Sequence, residues 1–564
     1  MADQDTVAPM AAPVAPKRNR ARVVELVHRA AVGQRQGRSV GVTAAESGVA
    51  RSTLYHWLAR KEAIEASPAV RDFFVSPDGL AMLHRIVTAA QLVFVQAGGC
   101  GADRVGEFLE LSQLGRFVGA SHGSQHAVMT QMTTLLGEYA DAERQRLGAT
   151  MVPRNIVVCE DETFHPETCL VAIDAASGLI VLEHYSERRD GVTWTKALAG
   201  ALAGLPVTVV QVVGDEAKGL IAHARDGLGV GHAPDLFHVQ RDLFKATSRP
   251  LAARLDRPQE ELEAAEAYTK RWEANKADYH RGPRGPGRPM NYDRHIAEAR
   301  AAEDAPRANF EGVCADQDNV KAAIRSLSAA YHPYDLATGA LRTAQGVRTA
   351  FAEAFATIDD VALRANLAER CRERIDKARR VGPKFVAAIA FFHGQLARAL
   401  DTLALDPLVL DVVRTMLVPG LYLARAAGRA RTAAERATIL ATSSALLAQA
   451  RAPTGPYMAL SPSVRRRIET VADAQLALFV RSTACVEGRN GHLERYRHGL
   501  HQLSRPRLKA LTTIHNFYAR RPDGTTAAER FFGQPPVDLF EWLLERLDLP
   551  AQPRPRRPRL RLAA

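Results

Sequence analysis

Between residues 155 and 213 the chain changes texture. Four short runs rich in valine and isoleucine, NIVVCE, CLVAID, LIVLEHY and VTVVQVV, stand in a sequence otherwise patterned for helix. Runs of this length and composition read as strands. Ala175-Ala176-Ser177-Gly178 has the residues of a hairpin turn, and residues 193–204 form an amphipathic helix between the third and fourth runs. The expected class is α+β and mostly α: one mixed sheet framed by helices.

A chain of 564 residues exceeds one ordinary core, so several domains are expected. With 46% hydrophobic and 24% charged residues it reads as globular. The excess of Lys and Arg, a net charge of +12, favours a polyanionic partner. Six cysteines without a C-x-x-C pair argue against a disulfide framework and a zinc knuckle. No run of 18 apolar residues occurs and the N-terminus lacks a signal-peptide core, so a cytoplasmic protein with no membrane partner is expected.

The order along the chain is expected as follows. A disordered basic lead-in (1–20) precedes a helix-turn-helix (21–66) and a second helical region (77–150), with a possible second reading helix at 125–136. The first part of a sheet domain (151–243) is followed by a helical insertion (244–480), broken by the Gly/Pro loop at 281–289. The last part of the sheet domain (481–550) and a disordered basic tail (551–564) complete it.

VTAAESGVARSTLYHWLARK, residues 42–61, has the spacing of two helices crossing at a tight corner. Thr43 is expected to cap the first helix with Glu46 three positions on, Gly48 to make the turn, and Ser52 to cap the second. Leu54 and Trp57 pack back on Ala44. Arg51, Ser52, Thr53, Tyr55, His56, Arg60 and Lys61 are then the candidate DNA-contacting residues, of the types that meet phosphates and base edges.

The first and last strand runs end on acids, at Asp161 and at Asp215. A buried strand that suddenly presents Asp places a carboxylate at the carboxyl edge of the sheet, where sites of α/β proteins lie. Two such carboxylates side by side repel unless a divalent cation sits between them. Oxygen ligation suits Mg²⁺ (or Mn²⁺), and two ions can serve phosphoryl transfer. The flanking Glu160, Glu162 and Glu216 point to the opposite side and are expected at the surface or in caps. Cys159, Cys169 and Cys485 are expected as small buried apolar residues.

The succession strand–Asp161, hairpin, helix, strand–Asp215 and a late helical Glu487 resembles the DDE transposases of bacterial insertion sequences, which share the RNase H-like fold. Asp235-Leu-Phe-His238 resembles their C/D-x-x-H motif, and Glu487-Gly-Arg-Asn490 the E-G-x-N around their third acid. The resemblance implies catalytic and metal-binding roles for Asp161, Asp215 and Glu487, with Glu494 the competing third acid. Gly488 and Gly491 each cost ~1 kcal/mol inside a helix, so close backbone approach is expected there. The resemblance implies supporting or phosphate-binding roles for His238 and Asn490. It also implies element-end and target double-stranded DNA as partners, a homo-oligomer on DNA, and hydrolysis followed by strand transfer. A helix-turn-helix regulator without catalysis and a structure-specific nuclease of the same fold remain the alternatives.

Overall fold

The computed structural model describes residues 20–164, 167–283, 287–500 and 503–553. Most of the lead-in and residues 554–564 of the basic tail lie outside them. The chain is mostly helical with one five-stranded sheet. It divides into two compact units, Met1–Val152 with His492–Ala564, and Pro153–Gly491, the second boundary falling inside one helix.

The first unit opens with α1 (Arg20–Arg35), α2 (Val40–Ser47) and α3 (Arg51–Glu62). Gly48 ends α2 in the left-handed region (φ 65°, ψ 23°), as a corner requires. Leu54 is fully buried against Ala44, Val40, Leu26 and Ala30, with Trp57 packed beside it. The expected caps are displaced. Thr43 lies buried inside α2, which starts after Ser39, and Ser52 lies inside α3, which starts after Ala50. The early start of α2 follows from Val40, whose burial on α1 carries its own helical turn.

These three helices are not a detached module. Val27 and Ile64 share a core with Val75, Leu83 and Val87, and with Val105 and Leu109. Those residues come from the segments around α4 (Pro68–Phe74), α5 (Pro77–Ala90) and α6 (Ala102–Leu111). The possible second reading helix is the interior of α7 (His122–Gly148), where Gln125, Val128, Met132 and Leu136 are buried. Gln91 donates to the Gln125 side chain at 2.8 Å.

The segment after His492 belongs to this unit, not to the sheet unit as expected. Phe517 and Trp542 pack edge-on against Tyr139 at 5.4 and 5.3 Å. Arg507 donates to the Val95 carbonyl at 2.5 Å. Thr526 caps the helix Ala527–Phe532, accepting from the Glu529 N–H at 3.1 Å.

In the second unit the four runs form β1 (Arg154–Phe164), β2 (Thr168–Asp174), β3 (Ile180–Tyr185) and β4 (Val207–Gly214). A short β5 (Gly231–Pro234) completes the order β3-β2-β1-β4-β5. β1, β2 and β3 pair antiparallel, while β4 runs parallel to both β1 and β5. In the hairpin turn Asp174 accepts from Ser177 N–H at 3.0 Å, and Gly178 takes φ +76°. α8 (Gly191–Leu202), capped by Asp190, buries Trp194 and Leu198 against Val158, Leu170 and Leu220. After β4 come α9 (Lys218–Ala222) and a wide turn at His223–Gly227. α10 (Leu236–Ala246) and α11 (Ser248–Ala252) follow β5.

From there to Pro462–Ala477 the described residues are helical apart from loops and one isolated bridge. Pro77–Ala97 in the first unit and Pro407–Ala427 in the second are long and apolar enough to cross a membrane, and each is 44% buried within the fold. Leu83 and Val87, and Val413 and Leu417, show that both supply core residues.

His332 lies buried in the helical part, 2.5 Å from the Tyr422 hydroxyl. Burial first, and then Arg481, Arg342 and Arg429, push its pKa down to about 2. Below pH ~6.5 the unfolded chain gains a proton that the folded chain refuses, so stability falls as pH drops toward 2. The expected slope from this residue is ~1.4 kcal/mol per pH unit. Urea unfolding of the parent and of His332→Gln between pH 6 and 4 measures it. Parallel stability curves would contradict it.

Candidate metal centre

β1 and β4 run side by side with Cys159 opposite Val213, so Asp161 and Asp215 leave neighbouring strands at the same level. Side-chain alternation sorts the acids of β1. Glu160 and Glu162 face the α8 side with Val158, and Asp161 shares the other face with Cys159. On that face the chain returning from the helical region is stitched to the sheet. The Arg481 carbonyl accepts from the Leu236 N–H at 3.1 Å, and the Cys159 thiol donates to the Ser482 carbonyl at 3.8 Å. Cys159 is also hydrogen-bonded to Cys485, which together with burial pushes its thiol well up.

The helix Ala484–Leu500 begins here and carries Glu487 in its first turn. It is fixed twice within this unit. Thr483, just before it, donates to Asp235 at 2.5 Å. Arg489 forks onto Glu183 of β3 at 2.8 and 2.7 Å, both side chains being buried. Together with the Arg481 and Ser482 carbonyls, these long-range bonds bring a residue from the far side of the helical segment onto the sheet.

The outcome is a cluster of Asp161, His238 and Glu487, whose ligand atoms all lie within 4.8 Å of one another. His238 Nε2 is 3.8 Å from Glu487 Oε1. Its Nδ1 is 2.7 Å from the fully buried Asp235, which also accepts from the Phe237 N–H at 2.7 Å. Asp235 thus fixes the ring with Nδ1–H toward itself and Nε2 toward the acids. The Asp235 hydrogen bond is also the main cause raising the His238 pKa. Burial pushes the Asp161 carboxyl up to about 6; the Glu162 N–H and His238 oppose this, and Asp215 and Glu487 add to it.

Asp215 adds its charge but stands outside the three-residue cluster; its Oδ1 accepts from the Ala217 N–H at 2.9 Å. Asn490 is half-buried one turn beyond Glu487, its side-chain oxygen buried without a hydrogen bond. Glu494 is about 10 Å further along the helix at ~1.5 Å per residue, and is not in the cluster. A Cβ added to Gly488 or Gly491 meets nothing within 4 Å, so no close neighbour demands glycine there, contrary to expectation.

Among the flanking acids Glu160 is not a surface residue, while Glu162 and Glu216 are half-buried. Glu160 is fully buried, 3.3 Å from His223 Nε2, and burial raises its pKa. Thr195 Oγ1 donates to the Gly191 carbonyl and lies 2.8 Å from His223 Nδ1, so that nitrogen donates to it and Nε2 faces Glu160. Glu162 accepts from Arg189 at 2.9 Å and from Trp194 Nε1 at 3.3 Å. Glu216 pairs with Lys384. The residues that place Glu487, namely Thr483, Arg489 and Glu183, carried no signal in the sequence, since each matters only through a partner hundreds of residues away.

In the first unit Arg51, Ser52, Tyr55 and His56 are exposed on α3 and Thr53 is half-buried. Arg51 stacks over Tyr55 at 5.4 Å. Lys61 departs from the expected set: it is buried and bound to Asp72 at 2.5 Å, because its position faces the core side of α3. Arg60 is half-buried and reaches the Gln552 carbonyl at 3.5 Å.

One protein family, described as a family of unknown function (DUF6399), matches residues 413–559. The matched segment contains Glu487 and Asn490 but neither aspartate. No curated protein and no solved structure matches the chain.

Proposed function

We propose that the chain is a DNA transposase of the DDE type, with an RNase H-like sheet domain, a helix-turn-helix at α2–α3 and a divalent-metal centre at Asp161, Glu487 and Asp215. The observation that carries this reading is the convergence of Asp161, His238 and Glu487 within 4.8 Å from three distant parts of the chain. The element order supports it too: strand–Asp, hairpin, helix, strand–Asp, and an acid helix brought back by a long helical insertion.

The donor set fits a cation. Two carboxylates and an anchored imidazole converge, and the charges of Asp215 and Glu487 add to burial in raising the Asp161 pKa, a repulsion that a cation offsets. Asp161 and Glu487 would hold Mg²⁺ or Mn²⁺, with Asp215 beside them, and His238 Nε2 offers either a ligand or a donor to a phosphate oxygen. When bound, such ions activate water and stabilise the leaving oxygen of a phosphodiester. Asp235 and Thr483 hold the imidazole in place, and Arg489 holds the helix that carries Glu487. In this reading the same site first cuts at the element end and then joins the freed 3′-hydroxyl to target DNA, with the protein acting as an oligomer on DNA in the cytoplasm.

The test is incubation of the purified full chain with marked element-end duplex and supercoiled plasmid in Mg²⁺ or Mn²⁺. Metal-dependent nicking and covalent joining are expected. Nicking without joining would favour a nuclease, and binding without either would favour a regulator. Because α1–α3 share the unit core, the reader face is tested by point changes. Arg51→Ala with His56→Ala is expected to weaken specific end binding about 10–100-fold, the equivalent of ~1–3 kcal/mol for lost base readout. An unchanged footprint would remove α3 from the reading.

A further inference from the structure

The face of α10 that begins at His238 does not stop at the metal centre. Arg241, Lys245 and Arg249 follow it at spacings of three, four and four residues, a helical stripe continued into α11. Lys245 and Arg249 then open one side of a cleft of about 550 Å³, whose other side is Arg370 and Arg374 on the helix Glu369–Arg380. Pro250 and Ala253 add apolar lining, and among the described residues that line it none is acidic. All four cationic side chains are exposed, and among the described residues none has a carboxylate within ion-pairing distance. Other surface arginines of this unit, Arg364 and Arg379 for instance, are paired with acids.

Four like charges converging on one cleft repel one another unless an anion lies between them. Lys245 lies seven residues along α10 from His238, about 10 Å at ~1.5 Å per residue. That is a span a nucleic-acid backbone crosses within a few phosphates.

We propose that Lys245, Arg249, Arg370 and Arg374 form a phosphate-binding track for the DNA strand whose scissile phosphate sits at Asp161, His238 and Glu487. The track rests on the transposase reading for its direction, but its binding role is separable from catalysis. The cations stand on two sides of one cleft, where they can meet phosphates of one strand, and such interactions carry no base information. Arg241, stacked over Phe237 at 5.7 Å, lies between the centre and the cleft.

The experiment uses the full chain and a labelled duplex of arbitrary sequence, about four helical turns long, without divalent metal, titrated at several salt concentrations. Parent protein is compared with the variant Lys245→Gln, Arg249→Gln, Arg370→Gln, Arg374→Gln; all four positions are exposed, and thermal unfolding checks the fold. The variant is expected to bind at least about tenfold more weakly at physiological salt, and the slope of log affinity against log salt should flatten by about 0.9 for each phosphate no longer neutralised. Affinity and slope within about twofold of the parent would overturn the track. Unchanged duplex binding with abolished binding of inorganic tripolyphosphate would overturn it in favour of a small-anion site. If the parent shows no metal-dependent cleavage yet the variant binds duplex more weakly, the track stands and the catalytic reading falls. If the parent cleaves and the variant binds unchanged, only the track falls.

Discussion

Asp161→Asn and Glu487→Gln are each expected to lower Mg²⁺-dependent strand cleavage on the order of 10³-fold or more, with duplex binding and the folding transition unchanged. Each change removes one anionic donor while keeping side-chain size. A bound cation contributes several kcal/mol of charge stabilisation in phosphoryl transfer, and each ~1.36 kcal/mol is tenfold in rate. Folding is spared because among the described residues neither carboxylate has a Lys or Arg partner, and removing one of several acids relieves the repulsion that adds to burial in raising Asp161. Asp215→Asn is expected to follow them. Glu494→Gln is expected to cleave normally, since Glu494 is outside the cluster. Cleavage within about tenfold of the parent in Asp161→Asn or Glu487→Gln contradicts the assignment.

The largest expected effect on stability is at Arg489. Its guanidinium is 1% exposed and forks onto Glu183, itself fully buried on β3. Truncation to Ala takes the forked partner from a buried carboxylate under the Glu487 helix, and breaking such a pair costs ~3–5 kcal/mol. Replacing both partners, Arg489→Met with Glu183→Leu, is expected to recover most of that loss, because the desolvation of both charges disappears together. Denaturant unfolding of the full chain reads both. A loss below ~1 kcal/mol in Arg489→Ala would show that the pair is solvated and does not fix the helix.

How far the sequence carried the fold depended on whether a signal was local. The four Val- and Ile-rich runs are strands because a buried strand announces itself by composition, and Gly48 and Gly178 turn where positive φ is needed. β5, with the sequence GHAP, has no strand composition; it exists because Gln211–Gly214 of β4 offers it a parallel edge. The caps at Thr43 and Ser52 failed because burial of Val40 and Leu54 set the helix starts, and tertiary packing outweighs a cap of ~1 kcal/mol. The assignment of His492 onward to the sheet domain failed because the apolar partner of Phe517 and Trp542 lies on α7.

The site divided in the same way. Asp161 and Asp215 were legible as acids at strand ends, and Glu487 and His238 through short motifs. Alternation along β1 correctly separated Glu160 and Glu162 from Asp161 but gave no measure of depth. Their burial comes from α8 and the His223 turn, which cover that face. Lys61 was misread because a cation near a helix end looks exposed until its partner, Asp72, is located.

The most direct test is Mn²⁺ binding to the full chain without DNA, followed by isothermal titration at neutral pH in the parent and in single variants. A saturable site is expected in the parent. It should be lost in Asp161→Asn and Glu487→Gln, weakened about 10–100-fold in Asp235→Asn, where the imidazole loses its anchor, and retained in Glu494→Gln. Equal Mn²⁺ affinity in the parent, Asp161→Asn and Glu487→Gln would contradict it.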